Sequence, residues 1–379
     1  MEIGSSVLYN RCRRRIFYSM IKVTLTNEIL RYITEIERNR YQVSSVALPE
    51  MTINRLRKNS KKKSTYASNR IEGNPLSEAQ AEDVIESDER KHFLKPEQEI
   101  RNYFLALNFL ERKLELSEKL SVQLILDVQK YVEKGASSEK IGLRGPMPPG
   151  VLFAVYDAES GNPEYIPPDY SEVPALLDEL VEYVNTTDDH PLIVAAIVHY
   201  QLVTIHPFED GNGRTARLIS GYIMDLNGYG FNGIGSLDEY FAYDVDEYYR
   251  SIQMGLPALY YDGRNNPPHS EIWINYFLRM VQLYSGKVYS IAKDTEIRNK
   301  DESLSFLKQR EKELLDFLLQ NYRGEFTPIE VSRQLGVTNK TIINRLSALV
   351  NSGFVIPILV NERIRSYKLS EFAISVKRI

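Results

Sequence analysis

Twelve consecutive residues combine groups that could cradle a polyphosphate, hold a metal ion and move a proton. They are His206-Pro207-Phe208-Glu209-Asp210-Gly211-Asn212-Gly213-Arg214-Thr215-Ala216-Arg217. Gly211, Asn212 and Gly213 let the backbone turn sharply and approach a ligand closely, because glycine lacks Cβ and tolerates positive φ. The run opens a predicted helix, whose first N–H groups and positive dipole end make an anion site. Arg214 and Arg217 are three apart and share a helical face. Two guanidinium forks there suit the several oxyanions of a polyphosphate. Asp210 is placed to ligate a Mg²⁺ riding on phosphate oxygens. His206 can take a proton near neutral pH. Each feature alone has a bland reading: a packed histidine, a turn, two solvated arginines. Their joint occurrence within twelve residues argues for a site.

Other phosphate signatures do not compete. The pattern GxxxxGK[ST] is absent. GxGxxG occurs as Gly228-Tyr229-Gly230-Phe231-Asn232-Gly233, but it follows a helical stretch and lies in no βαβ unit, so it reads as a loop.

The elements that must position this run read as mainly helical. The chain has 379 residues and a formal net charge of −4, which predicts two or three domains of ordinary globular composition. Cys12 is the single cysteine, so an intrachain disulfide and cysteine-rich zinc sites are excluded. No apolar run approaches the roughly 20 residues that span a bilayer. The first residues lack a secretion-signal pattern. A cytoplasmic protein with no membrane partner is therefore expected.

Residues 1–20 read as an extension of unassigned role. Residues 21–110 form an N-terminal helical region, with Ile29, Tyr32, Ile33 and Ile36 at helical spacing and Ser77 capping a helix from Glu78. Residues 111–300 hold the core with the reactive run. Residues 97–135, across that boundary, read as two amphipathic helices, and 151–166 as a β-hairpin, with Val151, Phe153 and Val155 alternating before a turn-rich 158–163. Residues 192–205 are β-branched enough for a buried strand, but their length favours a buried helix. Helices follow over 238–256 and 270–297, the latter with Trp273, Phe277 and Met280 on one side. Residues 301–379 read as three helices and a hairpin, with Thr327-Pro328 and Thr338 as helix starts and Gly336 and Gly353 as stops.

The run 206–217 resembles the signature of the Fic family, HxFx[DE]GNGRxxR, and matches every specified position. The resemblance implies a helical Fic fold with a β-hairpin flap, while the three helices and hairpin of residues 301–379 have the plan of a winged helix-turn-helix domain. It implies an enzyme that transfers AMP from ATP to a hydroxyl side chain of a target protein, with ATP and Mg²⁺ as cofactors. Relatives move phosphate, UMP or phosphocholine instead. By position, His206 would be the general base and Asp210 the Mg²⁺ ligand. Gly211, Asn212 and Gly213 would line the anion hole, Arg214 would bind the α- and β-phosphates, and Arg217 the γ-phosphate. Phe208 would anchor the loop. The pair Tyr248-Tyr249 resembles a family segment near adenine, with core packing as the competing reading. The hairpin resembles the flap that aligns an extended target segment.

Upstream, Ser68-Asn69-Arg70-Ile71-Glu72-Gly73 resembles the family's inhibitory motif, [ST]xxxE[GN]. The resemblance implies that Ser68, Glu72 and Gly73 belong to a built-in brake. Glu72 would occupy Arg217, the fork meant for the γ-phosphate. In some relatives such a glutamate also helps remove AMP. The partners implied are a target protein, the chain itself, or a second copy in a homodimer.

Residues 304–379 carry 12 Lys+Arg against 7 Asp+Glu, a basic unit on an acidic body. That is a footprint of DNA contact, although many winged helices bind proteins. Asn339, Lys340, Asn344 and Arg345 on the third helix are the candidate DNA contacts, with Ile342, Leu346 and Leu349 facing the core. A DNA-binding regulator with a nucleotide-sensing or deAMPylating Fic portion is the alternative. His199 reads as a packed, hydrogen-bonded histidine. His92, His190 and His269 show no zinc pattern.

Overall fold

Capping chemistry decides where the helices of this chain begin and end. In the computed structural model, Thr26, Ser77, Ser121, Thr327 and Thr338 each accept a backbone N–H of the first turn that they open. These side chains satisfy donors that have no intrahelical partner. The structure describes residues 20–87, 92–137, 140–151, 153–156, 161–256, 267, 269–360 and 363–376. Residues 1–19 with Cys12, residues 157–160, which include most of the turn-rich 158–163, and residues 361–362 lie outside the described residues.

The chain divides into two compact units, each built from several segments. One comprises residues 1–25, 105–223 and 246–276. The other comprises residues 26–104, 224–245 and 277–379.

The first unit carries the reactive run. Helix α5, Val122–Glu133, and α6, Val173–Thr186, flank a short hairpin of β1, Val155–Tyr156, and β2, Pro163–Tyr165. The strands pair antiparallel, Val155 with Tyr165 and Tyr156 with Pro163, with an irregularity between Val155 and Tyr156. The expected hairpin is present, but its strands are far shorter than the alternation from Val151 suggested. Helix α7, Pro191–Ile205, settles the ambiguity at 192–205. Every residue from Leu192 to Ile205 except Val203 is buried. A helix enclosed all round needs no amphipathic stripe, which is why its sequence could pass for a strand. Helix α8, Asn212–Leu226, follows the reactive loop.

The predicted helix over 238–256 is two helices, α9, Asp238–Phe241, and α10, Val245–Gln253. Asp246 and Glu247 in the first turn of the second favour a fresh N-terminus there. Helix α11, Ser270–Ser305, buries Trp273, Phe277 and Met280 as expected.

In the second unit, α1, Asn27–Ser44, and α2, Glu50–Ile71, are followed by α3, Glu78–Glu86, and α4, Lys95–Glu115. Gly228–Gly233 is a turn after a helix, with a 3₁₀ stretch at Phe231–Gly233. The C-terminal part runs α12, Gln309–Asn321; β3, Glu325–Phe326; α13, Pro328–Leu335; α14, Asn339–Asn351; β4, Val355–Val360; β5, Arg363–Leu369; and α15, Glu371–Val376. Its sheet is antiparallel in the order β3-β5-β4. Pro357 lies on the edge strand β4, where a missing N–H is tolerated. Gly336 closes α13 at φ 65°, the left-handed cap its position predicted. Leu314, Leu318, Phe326, Val331, Ile342, Leu346 and Leu349 form one core. Truncating one of these leucines to alanine would cost about 2–5 kcal/mol. No helix among the described residues is long and apolar enough to cross a membrane.

Candidate active site

His206 ends α7 in the left-handed conformation, φ 50° and ψ 58°. That backbone stops the helix and turns the chain into the loop. The imidazole Nδ1 lies 3.1 Å from the Val203 carbonyl. A carbonyl only accepts, so Nδ1 carries the proton and the basic lone pair sits on Nε2. The Phe153 ring stands 6.0 Å from the imidazole, centroid to centroid.

The loop after His206 is held by its own side chains. Phe208 is fully buried. The Asn212 amide donates to the Phe208 carbonyl at 2.9 Å and accepts the Phe208 N–H at 3.0 Å. The Asn212 side chain thus ties the loop together. Gly211 sits at φ 80°, and a Cβ there would stand 2.6 Å from Glu133 Oε1. Only glycine fits that approach.

Asp210 faces cations and an amide. Its Oδ1 accepts the Gly211 N–H at 2.8 Å and lies 3.4 Å from an Arg214 Nη. Its Oδ2 pairs with Lys140 Nζ at 3.3 Å. Partial burial pushes the carboxyl up, but Arg214, the Gly211 amide and Lys140 together hold it below the usual carboxylate range. The group is therefore a carboxylate at neutral pH. A single ionised carboxylate just before the N-terminus of α8 fits Mg²⁺, which keeps its waters and binds through one or two carboxylates plus substrate oxygens.

Both arginines are inside the protein, each 4% exposed. Arg214 donates to the fully buried Glu133 at 2.9 Å. Its Nε is buried with no hydrogen-bond partner among the described residues, a donor that an oxyanion would satisfy. Arg217 donates to the Tyr248 hydroxyl at 3.3 Å, and that hydroxyl lies 2.8 Å from His199 Nε2. Burial, reinforced by Arg217, pushes the His199 pKa well below its ordinary value. His199 is thus a neutral, packed, hydrogen-bonded histidine, as its sequence position suggested. Tyr248 is 1% exposed and packs against Tyr249, Trp273 and Tyr276. Of the tyrosine pair, Tyr249 keeps an exposed ring.

Sequence reasoning missed Glu133, Gln129, Lys140 and Arg144. Gln129 donates to the carbonyls of Lys140 and Asp210 at 2.9 and 3.3 Å. Arg144 donates to the His206 carbonyl at 2.8 Å. The one available signal was a glutamate and a glutamine at helical spacing in a segment otherwise apolar on that face. No group of three or more metal-ligating side chains occurs among the described residues. His190 caps α7 and His269 pairs with Glu271.

Ser68, Glu72 and Gly73 belong to the other unit. Ser68 is fully buried on α2 and Glu72 is exposed at its end. Gly73, at φ 78°, donates to the Arg70 carbonyl, and Asn74 donates to Asn69. That pair of bonds is a Schellman motif, which explains the glycine after the glutamate. On α14, Asn339, Lys340 and Asn344 are exposed and Arg345 is half-buried, while Ile342, Leu346 and Leu349 are buried.

Residues 119–224 match the family model described as Fic/DOC family. Among curated proteins, the chain is similar to the protein adenylyltransferase Fic of Drosophila grimshawi, with 26% identity over 206 residues, 52% of this chain and 40% of that protein. The protein of the same name from Aedes aegypti is 27% identical over 202 residues, 51% of this chain and 38% of that protein. The chain spans about two fifths of the length of these relatives. A Fic family protein from Desulfovibrio desulfuricans G20 superimposes with a TM-score of 0.58 at 20% identity, covering 92% of this chain and 98% of that one. Fic-1 of C. elegans (residues 134–508) gives 0.54 at 23% identity, covering 70% and 72%. The chain has a mainly helical fold of the Fic type.

Proposed function

We propose that this chain is a self-inhibited protein adenylyltransferase that transfers AMP from ATP to a Tyr, Thr or Ser hydroxyl of a target protein. The observation that carries the reading is one juxtaposition. A histidine with its lone pair on Nε2 stands at the mouth of a helix N-terminus that also buries two arginines.

The chemistry follows from these groups. His206 Nε2 takes the proton of the target hydroxyl as its oxygen bonds to the α-phosphorus. The bond from that phosphorus to the bridging oxygen breaks, and pyrophosphate leaves. The N–H groups of Asn212 and Gly213, with Arg214, bear on the α- and β-phosphates, and Arg217 on the γ-phosphate. Asp210 would hold Mg²⁺, whose charge would offset that of the leaving pyrophosphate. Such transfers depend mostly on positioning and charge stabilisation. Tyr249 is the aromatic we assign to the base, and the hairpin is assigned to the target segment. By the match of Ser68–Gly73 to the family's inhibitory motif, we assign Ser68, Glu72 and Gly73 to the brake.

The deciding experiment incubates the parent and Glu72→Gly proteins with α-labelled and γ-labelled ATP in parallel. Label retained from the α position alone is expected. Label from the γ position alone means a kinase and ends this reading. His206→Ala should lower transfer by about 10²–10⁴-fold while ATP still binds.

The exposed polar face of α14 and the basic balance of residues 304–379 favour a second role. We read that part as a winged helix that contacts DNA through Asn339, Lys340, Asn344 and Arg345. A gel shift on random duplexes that weakens with salt supports it. No shift at low salt removes it.

A further inference from the structure

Arg144 lies 62 residues before His206, yet its side chain is spent on the turn that presents the imidazole. Its Nε donates to the His206 carbonyl at 2.8 Å. One Nη donates to the Ile205 carbonyl at 3.4 Å and also to Pro168, just beyond the hairpin. Its backbone N–H donates to the Pro207 carbonyl at 2.9 Å, and its neighbour Leu143 bridges to Phe208. The guanidinium lies over the Phe153 ring, 4.8 Å from its centroid, and that ring is the one beside the imidazole. Arg144 is 6% exposed.

We infer that Arg144 is a positioning residue for His206, holding the left-handed turn at the end of α7 and tying it to the hairpin. The inference rests on the reading of His206 as the base. Two facts point to it. A histidine at φ 50° is strained and persists only where its surroundings over-determine it. The last carbonyls of a helix also have no intrahelical partner, and here a rigid fork of donors meets those of Ile205 and His206 at once. With the fork gone, the turn can relax toward a further helical residue. The Nδ1–H then leaves the Val203 carbonyl and Nε2 loses its aim. The same side chain touches both sides of the hairpin, at Phe153 and at Pro168. Displacement of the hairpin is therefore felt at the imidazole.

The test is Arg144→Lys in the full chain. Lysine keeps the charge but offers a point donor instead of a fork. Nitrogen-15 spectra of the five histidines, with His206 identified by its loss in His206→Ala, read the tautomer directly. The parent should show His206 protonated at Nδ1, and Arg144→Lys a mixture of tautomers. Self-labelling from α-labelled ATP should fall about tenfold or more, with ATP affinity within about twofold of the parent. Should Arg144→Lys not fold, Phe153→Leu removes the ring on which the guanidinium rests and should move both readouts the same way, by less. An unchanged His206 tautomer in a folded variant overturns the inference. So does an ATP affinity that falls in step with labelling, which marks a merely structural residue. If His206→Ala labels as well as the parent, the base reading fails by itself, and the tautomer measurement still judges Arg144.

Discussion

Glu133 and Arg214 form an ion pair inside the protein: Glu133 Oε1 accepts from an Arg214 Nη at 2.9 Å, with the carboxylate fully buried and the guanidinium 4% exposed. The pair holds the guanidinium of Arg214, the first arginine of the 206–217 run, in place. Removing one partner leaves the other charge buried and uncompensated. Glu133→Ala should therefore destabilise the chain by about 3–5 kcal/mol, read from the denaturant midpoint. Glu133→Gln keeps an acceptor for Arg214 and should cost less. An Ala variant that unfolds at the parent's midpoint would show that the pair holds nothing.

The same carboxylate limits what can stand at position 211. An added Cβ would meet Glu133 Oε1 at 2.6 Å and Val132 Cγ1 at 3.2 Å, on a backbone already at φ 80°. Gly211→Ala should cost about 1–3 kcal/mol in stability and weaken ATP binding, because the loop must swing away from α5. Calorimetric titration with ATP measures the second effect. Parent-like affinity would mean that the loop tolerates the displacement and that its amides are not the cradle.

These two residues also show what the sequence can and cannot say. The loop 206–217 was legible because its groups are contiguous, so spacing alone brought them together. Glu133 and Arg144 were not, since each reaches the loop across 60 residues or more, and no periodicity encodes such a contact. Helix α7 was ambiguous for a related reason: a helix buried on every side loses the stripe that identifies helices. The brief β1 and β2 gave more apparent alternation than pairing, because Val151 and Phe153 alternate without joining the ladder. In the C-terminal part, local signals were enough. Thr327, Gly336 and Thr338 terminate elements by their own chemistry, and Ile342, Leu346 and Leu349 fall on one face. Tyr248 was singled out for its neighbour and its place in the chain. Its hydroxyl proves to serve Arg217 and His199.

His199 makes stability depend on pH. It is buried and neutral, with its pKa pushed well below the ordinary value by burial and then by Arg217. The groups around it are Arg217, Tyr248 and Trp273. The unfolded chain takes up a proton near pH 6.5 that the folded chain refuses, so stability falls as pH drops below that value. The contribution approaches about 1.4 kcal/mol per pH unit for one such group. Unfolding midpoints compared between pH 7.5 and 5.5 should fall more steeply for the parent than for His199→Gln, whose amide does not titrate in this range. Parallel slopes would remove His199 as the source.

Glu72 stands at the end of α2, where the backbone is closed by its own hydrogen bonds. Ser68 is packed beneath, Ile71 is buried, and the bonds from Gly73 to Arg70 and from Asn74 to Asn69 close α2 immediately after the glutamate. These bonds fix the backbone at position 72 and leave the carboxylate exposed. We expect Glu72→Gly to raise self-labelling from α-labelled ATP, because both the charge and the side chain disappear. Gly73→Ala acts on the same helix end by another route. Its φ of 78° strains an L side chain, so the cap loosens, and labelling should rise by a smaller amount with Glu72 still in place. If labelling by Glu72→Gly stays at the parent's level while ATP binds both proteins, the carboxylate does not restrain the reaction.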